Sequence, residues 1–237
     1  MLCDLHTHIL HGIDDGAADL ACALELVKQE QDCGVDTIVL TPHFRAQKRH
    51  PEEFFALRAR ATEELRAACG DGVTFRLGAE VLYSQYLSSI ENIRDFCIEG
   101  TDYLLLEMPY FAEFNDRVLQ AVGRLRDEHG ILPILAHVER YEAVRRNPYL
   151  LASFREYGCL FQVNASTFET GGFFARRFVK TLVRERLVDL VASDCHDSKS
   201  RPAALKGAFD SVTQRFGADF AEYLKHNAVR VLENKRV

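Results

Sequence analysis

The chain has 237 residues, 47% of them hydrophobic, which is enough for one large core and too few for two generous ones, so a single domain over residues 1–237 is expected. Its formal charge of −6 is spread without a basic block or stripe, which argues against a nucleic-acid partner, although folding can still gather a local patch. No apolar run approaches the roughly 20 residues of a spanning helix, the N-terminus lacks a signal-peptide layout, and the seven cysteines form no C-x-x-C pair. A cytoplasmic protein without disulfides or membrane insertion is expected.

In chain order, Met1 to Leu5 is an apolar strand running into His6-Thr7-His8. Extended chains send residues i and i+2 to one face, so both imidazoles can grip one cation. Ile9 to Gly16 is a loop carrying Asp14-Asp15-Gly16. Helical spacing of Leu20, Leu24, Leu26 and Val27 predicts a helix between Ala17 and Cys33, stopped by Gly34. Val35 to Leu40 is a β-branched strand; Pro42 cannot donate to a sheet, so His43 falls in the loop beyond it.

Pro51 to Ala68 reads as a helix with Pro51 in its first turn, and Val73 to Leu82 as the third strand, containing Glu80. Tyr86 to Phe96 holds short helical pieces. Tyr103 to Leu106 is an apolar strand that runs into Glu107. Asp116 to His129 is helical, and Ile131 to Ala136 is a strand leading to His137. A helix over Pro148 to Tyr157 precedes a strand from Cys159 to Val163 that ends at Asn164. Phe173 to Glu185 is helical, Val188 to Ser193 leads into Asp194-Cys195-His196, and the tail from Pro202 to Glu233 forms two more helices.

Seven continuous apolar strands alternating with helices predict a covered parallel sheet, closed as a seven-unit α/β barrel whose functional groups gather at the C-terminal strand ends. That end collects His6, His8, Asp15, His43, Glu80, Glu107, His137, Asp194 and His196. Nine N/O donors are too many and of the wrong type for a structural zinc site, and they suffice for two or three bridged divalent ions. Mixed imidazole and carboxylate ligation suits Mn²⁺, Fe²⁺ or Zn²⁺. Two such ions sharing a water would lower its pKa and clamp a phosphoryl group, which implies hydrolysis of a phosphate ester. Arg140 and Arg201 are the cations best placed to hold phosphate oxygens in pairs.

The motifs D-L-H-T-H, I-D-D-G, T-P-H, G-x-E, L-L-L-E, A-H-x-E-R and S-D-x-H, in that order, resemble the PHP metallophosphoesterases over nearly the whole chain. The resemblance is closest to the manganese-dependent bacterial tyrosine phosphatases of capsule and exopolysaccharide systems. It implies a distorted (β/α)7 barrel and two or three divalent ions, manganese foremost, with iron, zinc or magnesium as the other candidates. It also implies one ion on His6, His8, Glu80 and Asp194, a second on Glu80, Glu107 and His137, and a third on Asp15, His43 and His196. Arg140 and Arg201 match the family's phosphate-contacting arginines, and Val138 departs from the proline common in relatives. The implied partner is a phosphotyrosine protein, a tyrosine autokinase controlling polysaccharide export; an oligomer is compatible with the sequence.

Bland readings stand beside these. Asp14 and Asp15 can cap the helix after Gly16; Asp15 is read as a ligand and Asp14 as a cap or support. Arg140 is either a phosphate contact or an ion-pair partner. Phe44, Phe111 and Phe114 either line an aromatic-accepting mouth or pack in loops. His11, His50, His129 and His226 read as surface or packing residues. Cys195 to Arg201 fits the C-x₅-R spacing of thiol phosphatases, but its loop lacks glycine and carries acidic neighbours. A histidinol-phosphatase-type enzyme and a non-catalytic scaffold are the remaining alternatives.

Overall fold

The structure is a computed structural model that describes residues 1–70 and 72–237. Its first half comprises β1 (Cys3–Thr7), α1 (Leu20–Asp32), β2 (Thr37–Leu40), β3 (His43–Phe44), α2 (Pro51–Cys69), β4 (Thr74–Leu77) and β5 (Glu80–Leu82). Then come β6 (Tyr103–Glu107), α3 (Asp116–His129), β7 (Leu132–Leu135), α4 (Glu142–Arg146), α5 (Leu150–Glu156), β8 (Leu160–Asn164) and α6 (Ala165–Glu169). The chain ends with α7 (Phe173–Arg184), β9 (Leu190–Ala192), α8 (Leu205–Phe216) and α9 (Ala218–Leu232). Local signals set many of the helix ends. Asp19 caps α1 by accepting the Cys22 N–H, Asn115 caps α3, and Gly130 closes α3 at φ 68°.

Among the described residues every strand pairing is parallel, in two sheets ordered β1-β2-β4 and β3-β5-β6-β7-β8-β9. β2 and β3 are one strand line interrupted at Thr41-Pro42, and β4 and β5 another interrupted at Gly78-Ala79. With these joined there are seven lines, and a parallel bridge from Thr7 to Cys195 brings the last back to the first. The fold is therefore the distorted seven-unit α/β barrel that the sequence predicts. Two local expectations are corrected. His43 is not in a loop but in β3, opposite Glu80, because the chain resumes pairing once past the proline. The third strand is broken where Gly78 comes close to β2; a Cβ there would lie 3.2 Å from Thr41 and 3.3 Å from Val39.

The barrel interior changes character along its axis. Toward the N-terminal strand ends it is apolar, with Cys3, Leu5, Tyr103, Leu105, Leu132, Ile134, Leu160 and Leu190 packed together. Ala228, Val231 and Leu232 of α9 join this cluster and close that end. Farther up, side chains on the same inward face become polar: Leu105 is followed by Glu107, and Leu160 by Gln162 and Asn164, at the two-residue spacing of a strand.

β1 reaches that polar end through a bulge. Asp4 faces Ile38 and Thr7 faces Leu40, so Leu5 and His6 together stand opposite Val39. Leu5 packs in the inner apolar cluster and His6 also turns inward, reaching Gln162. Strict alternation would have sent His6 outward.

Outside the sheet, Phe44, Phe54 and Phe96 pack with centroids 4.3–5.6 Å apart, so Phe44 belongs to the core and not to the site mouth. Phe114 likewise packs against Tyr141 and Phe154, whereas Phe111 is 85% exposed. Phe54→Ala is expected to lower unfolding free energy by about 3–5 kcal/mol in urea titration, and Phe111→Ala to change it by less than about 0.5 kcal/mol.

Candidate metal centre

All nine sequence-predicted donors lie at the C-terminal strand ends. The tightest group is His6 Nε2, His8 Nε2, Glu80 Oε2 and Asp194 Oδ1. Five of its separations are 3.1 Å (His6–His8), 3.3 Å (His6–Glu80), 3.4 Å (His6–Asp194), 3.2 Å (His8–Glu80) and 3.4 Å (His8–Asp194). Donors that hold one ion at roughly 2.0–2.2 Å lie about 3.0–3.5 Å from one another. The four atoms thus have the mutual spacing of a coordination shell.

A second group gathers beside it. His137 Nε2 is 2.9 Å from Glu80 Oε1 and 3.8 Å from Glu107 Oε1, while His43 Nδ1 is 2.9 Å from Glu80 Oε2 and 3.7 Å from Glu107 Oε2. His8, His43 and His196 can bring one nitrogen each within a common 4.8 Å. His43 therefore stands between the groups. His43 turns Nδ1 toward Glu80 and Nε2 toward Asp15, and Asp15 itself stands at the rim, 3.5 Å from His43 and 4.0 Å from His196. Exposed and at the edge, Asp15 is the most peripheral of the nine.

The donor set fits divalent cations. Glu80 Oε2, His43 Nδ1 and His196 Nε2 are buried and make no aligned hydrogen bond, although His43 and Glu80 are only 2.9 Å apart. Their lone pairs converge on shared space instead of on each other. Supporting groups hold the rings so. His8 Nδ1 donates to Asp14 Oδ2 at 2.8 Å, His196 Nδ1 to the Asp194 carbonyl at 2.9 Å, and His6 Nδ1 to Gln162 Oε1 at 3.2 Å. With each Nδ1 engaged in this way, each Nε2 is the ring atom left pointing inward.

Electrostatics favour ionised carboxylates. Burial alone would raise the pKa values of Glu80 and Asp194, yet facing imidazoles, led by His6, hold both well below the usual carboxylate range. Burial opposes charge on His6 too, and there Glu80 and Asp194 outweigh it and raise its pKa. Glu107 goes up, from burial and then from the neighbouring Glu80 charge. His196 is lowered to about 3, by burial and then by His8.

Backbone strain lies at the same place. His137 and Asp194 have φ of 34° and 54°, in the left-handed region that non-glycine residues seldom occupy. Gly16 lies against β1: a Cβ there would be 2.2 Å from the His8 carbonyl oxygen. Its N–H donates to Asp14 Oδ1 at 2.9 Å, and Asp14 Oδ2 also takes the His43 N–H at 2.7 Å. Asp14 is accordingly a support that fixes both His8 and His43.

Several supports escape sequence reading. Gln162 also accepts the His137 N–H at 2.7 Å, and Asn164 Nδ2 donates to Asp194 Oδ2 at 2.7 Å; two-residue spacing inward from Leu160 is the signal that marks them. Asp4 accepts the His6 and Ser193 N–H groups, each at 3.1 Å. Glu30 accepts the Ser193 hydroxyl at 3.2 Å. Glu30 is the fourth buried residue of the stripe Ala23, Leu26, Val27, Glu30, a carboxylate where the helix should be apolar.

Arg140 Nη1 and Arg201 Nη2 both donate to Asp194 Oδ2, at 3.1 and 3.0 Å, and remain 35% and 37% exposed. They border a cleft of ≈ 520 Å³ that also includes Asn164, Thr167 and Lys199. The ring of Tyr110 lies under the Arg140 guanidinium at 5.1 Å and stacks 6.4 Å from His137. The thiol alternative fails on geometry. Cys195 is fully buried, 3.7 Å from Glu30, and burial followed by the Glu30 charge pushes its pKa well up. The loop amides that would receive a phosphate are taken internally: Lys199 and Ser200 donate to Asp197, and His196 to the Arg201 carbonyl.

A parallel α/β barrel with a histidine–carboxylate cage at its C-terminal strand ends defines a metallohydrolase. More narrowly, the chain belongs to the family described as capsular polysaccharide synthesis, CpsB/CapC, whose model matches residues 2–233. It is 30% identical over 231 residues to the tyrosine-protein phosphatase CpsB of Streptococcus pneumoniae, covering 93% of each chain. It is 28% identical over 242 residues to the tyrosine-protein phosphatase YwqE of Bacillus subtilis (strain 168), covering 99% of this chain and 92% of that one.

Among solved structures, one from work on YwqE and the S. pneumoniae CpsB, described as unique metal-dependent tyrosine phosphatases, superposes with a TM-score of 0.88. The identity is 27%, over 100% of this chain and 96% of that one. A lactonase from Listeria monocytogenes shares the fold at a TM-score of 0.58 and 14% identity, over 97% of this chain and 94% of the other.

Asp14→Ala is expected to weaken divalent-metal binding about 10–100-fold in calorimetric titration, since loss of a supporting carboxylate frees His8 and His43. Gly16→Ala should produce a comparable loss by pushing the Asp14 loop away from β1.

Proposed function

We propose that this chain is a metal-dependent protein-tyrosine phosphatase of a capsule or exopolysaccharide system. The observation that carries the reading is the cage of His6, His8, Glu80 and Asp194, with two part-exposed arginines anchored on the Asp194 carboxylate and facing an open cleft. Similarity to phosphatases of that name supports the substrate class. The fuller reading is a single catalytic domain over residues 1–237, supported by the family match over 2–233. It works in the cytoplasm on a tyrosine autokinase and uses two or three ions, with manganese preferred. The mixed imidazole and carboxylate donor set supports that choice of metal class.

On this account His6, His8, Glu80 and Asp194 would hold one ion, Glu80, Glu107 and His137 a second, and His43, His196 and Asp15 would complete the cage toward the rim. When bound, the ions supply a water nucleophilic at neutral pH and neutralise charge on the phosphoryl oxygens. The protein's own contribution is orientation. Arg140 and Arg201 are each fixed on Asp194 through one nitrogen and keep their remaining donors for phosphate oxygens, which stabilises charge as it develops. Tyr110, partly exposed, stands at the mouth beside Arg140, where an aryl group would pack against its ring. A phenolate, with a parent pKa of about 10, leaves without strong protonation, so no dedicated general acid is needed.

The test is hydrolysis of a phosphotyrosine peptide before and after chelation. Activity should vanish with chelator and return with Mn²⁺, and it should exceed that toward histidinol phosphate. Arg140→Ala and Arg201→Ala should each lower kcat/KM about 10²–10³-fold with metal content retained. Cys195→Ser should leave the rate within a small factor of wild type, and His6→Ala should nearly abolish it. Faster turnover of histidinol phosphate, or loss of activity in Cys195→Ser with His6→Ala active, would reject the proposal.

A further inference from the structure

The chain as a whole is anionic, but the solvent face of α7 is the opposite. Its exposed residues are Phe173, Phe174, Arg176, Arg177, Lys180 and Arg184, with Arg186 just beyond, while Val179 and Leu182 are buried beneath. Phe173 and Phe174 are 72% and 79% exposed and sit edge to face at the helix start, after Gly171-Gly172. Among the described residues, Arg184 alone of these cations has a carboxylate partner, Glu185 at 2.9 Å. Arg176 donates to the Glu169 main-chain carbonyl. Folding therefore collects a basic patch that composition conceals.

Alongside α7 runs a cleft of ≈ 540 Å³ whose cationic lining is Arg176, Arg177, Lys180 and, from α8, Arg215, with Phe173 and Phe216 as its apolar walls. Thr167 borders both this cleft and the one holding Arg140 and Arg201. α6 carries Thr167 and leaves directly from the strand end at Asn164, so α7 starts beside the catalytic end of the barrel and runs from there back toward the start of β9.

We infer that this face docks the protein on an anionic lipid surface, with Phe173 and Phe174 entering the headgroup region and the α7 cations against lipid phosphates. Two adjacent aromatic tips flanked by like-signed charges fit an interface that is apolar below and negative above. An acidic protein partner fits less well. The cations of α7 run from Arg176 to Arg184, roughly 12 Å at 1.5 Å per residue, with the partly exposed Glu185, already tied to Arg184, as the carboxylate beside them and with few apolar anchors for a packed protein interface. Docked in this way, the cleft that shares Thr167 with this patch opens beside the membrane, within reach of substrates held there. The inference is independent of which phosphate ester the cage hydrolyses.

The experiment is co-sedimentation of the full chain with vesicles of phosphatidylglycerol and phosphatidylcholine, or of phosphatidylcholine alone, at low and high salt. Binding is expected with the anionic vesicles, and high salt should release it. The double variant Arg176→Glu/Arg177→Glu should bind at least about tenfold more weakly. Phe173→Ser/Phe174→Ser should lose affinity severalfold at unchanged charge. Both variants should hydrolyse a small soluble aryl phosphate at the wild-type rate, which shows that the fold is intact. Absence of binding to anionic vesicles at low salt, or binding indifferent to both variants, would overturn the inference. So would retention of polyglutamate without vesicle binding, which would give the patch to an acidic protein. Vesicle binding by a chain that cleaves no phosphate ester would uphold the docking and count against the catalytic reading alone.

Discussion

The structure depends on the confinement of ionisable groups to one end of a barrel whose other end is filled with hydrocarbon. Glu80, Asp194, His6 and His8 are all buried, and an isolated buried carboxylate is too costly to persist. Each charge is tolerable here because opposite charges and hydrogen-bond donors surround it. His6 and His43 face Glu80, and Arg140, Arg201 and Asn164 converge on Asp194 Oδ2. The same arrangement leaves Asp194 Oδ1 and Glu80 Oε2 facing the imidazole nitrogens, with the spacing of a coordination shell.

That concentration of charge has to be held in place by the chain, and the devices that hold it fit poorly with regular structure. A bulge in β1 turns His6 inward beside Leu5. His137 and Asp194 take left-handed backbone angles at the ends of β7 and β9. Asp4 and Glu30 tie β1, α1 and the β9 end together through Ser193, while Asp14 ties the following loop to His8 and His43. Strain and buried polar networks of this kind persist where rigid packing over-determines them. The apolar lower barrel, closed by α9, supplies that packing.

Much of this was legible in the sequence. The strands could be read because they are continuous apolar runs, and the candidate donors because each stands where such a run stops. What could not be read are features of pairing between distant segments. The alternation argument put His6 and His8 on one face, correctly for the pair, but it could not show the bulge that chooses the inner face. Pro42 marked the end of β2 and hid the resumption of pairing at His43. Phe44 followed a donor yet turned into the core, because β3 alternates like any strand. Gln162, Asn164 and Glu30 went unassigned, since polar residues in apolar elements declare their purpose through partners far away in sequence. The basic face of α7 was hidden for a related reason: charge counted along a chain does not report which side of a helix it occupies.

The account is tested most directly by anomalous diffraction at the manganese edge from crystals grown with Mn²⁺. It predicts a peak at coordination distance from His6, His8, Glu80 and Asp194, with a second beside Glu80, Glu107 and His137. Peaks confined to other parts of the molecule, or a cage that stays free of metal while the crystals' protein hydrolyses phosphotyrosine, would contradict it.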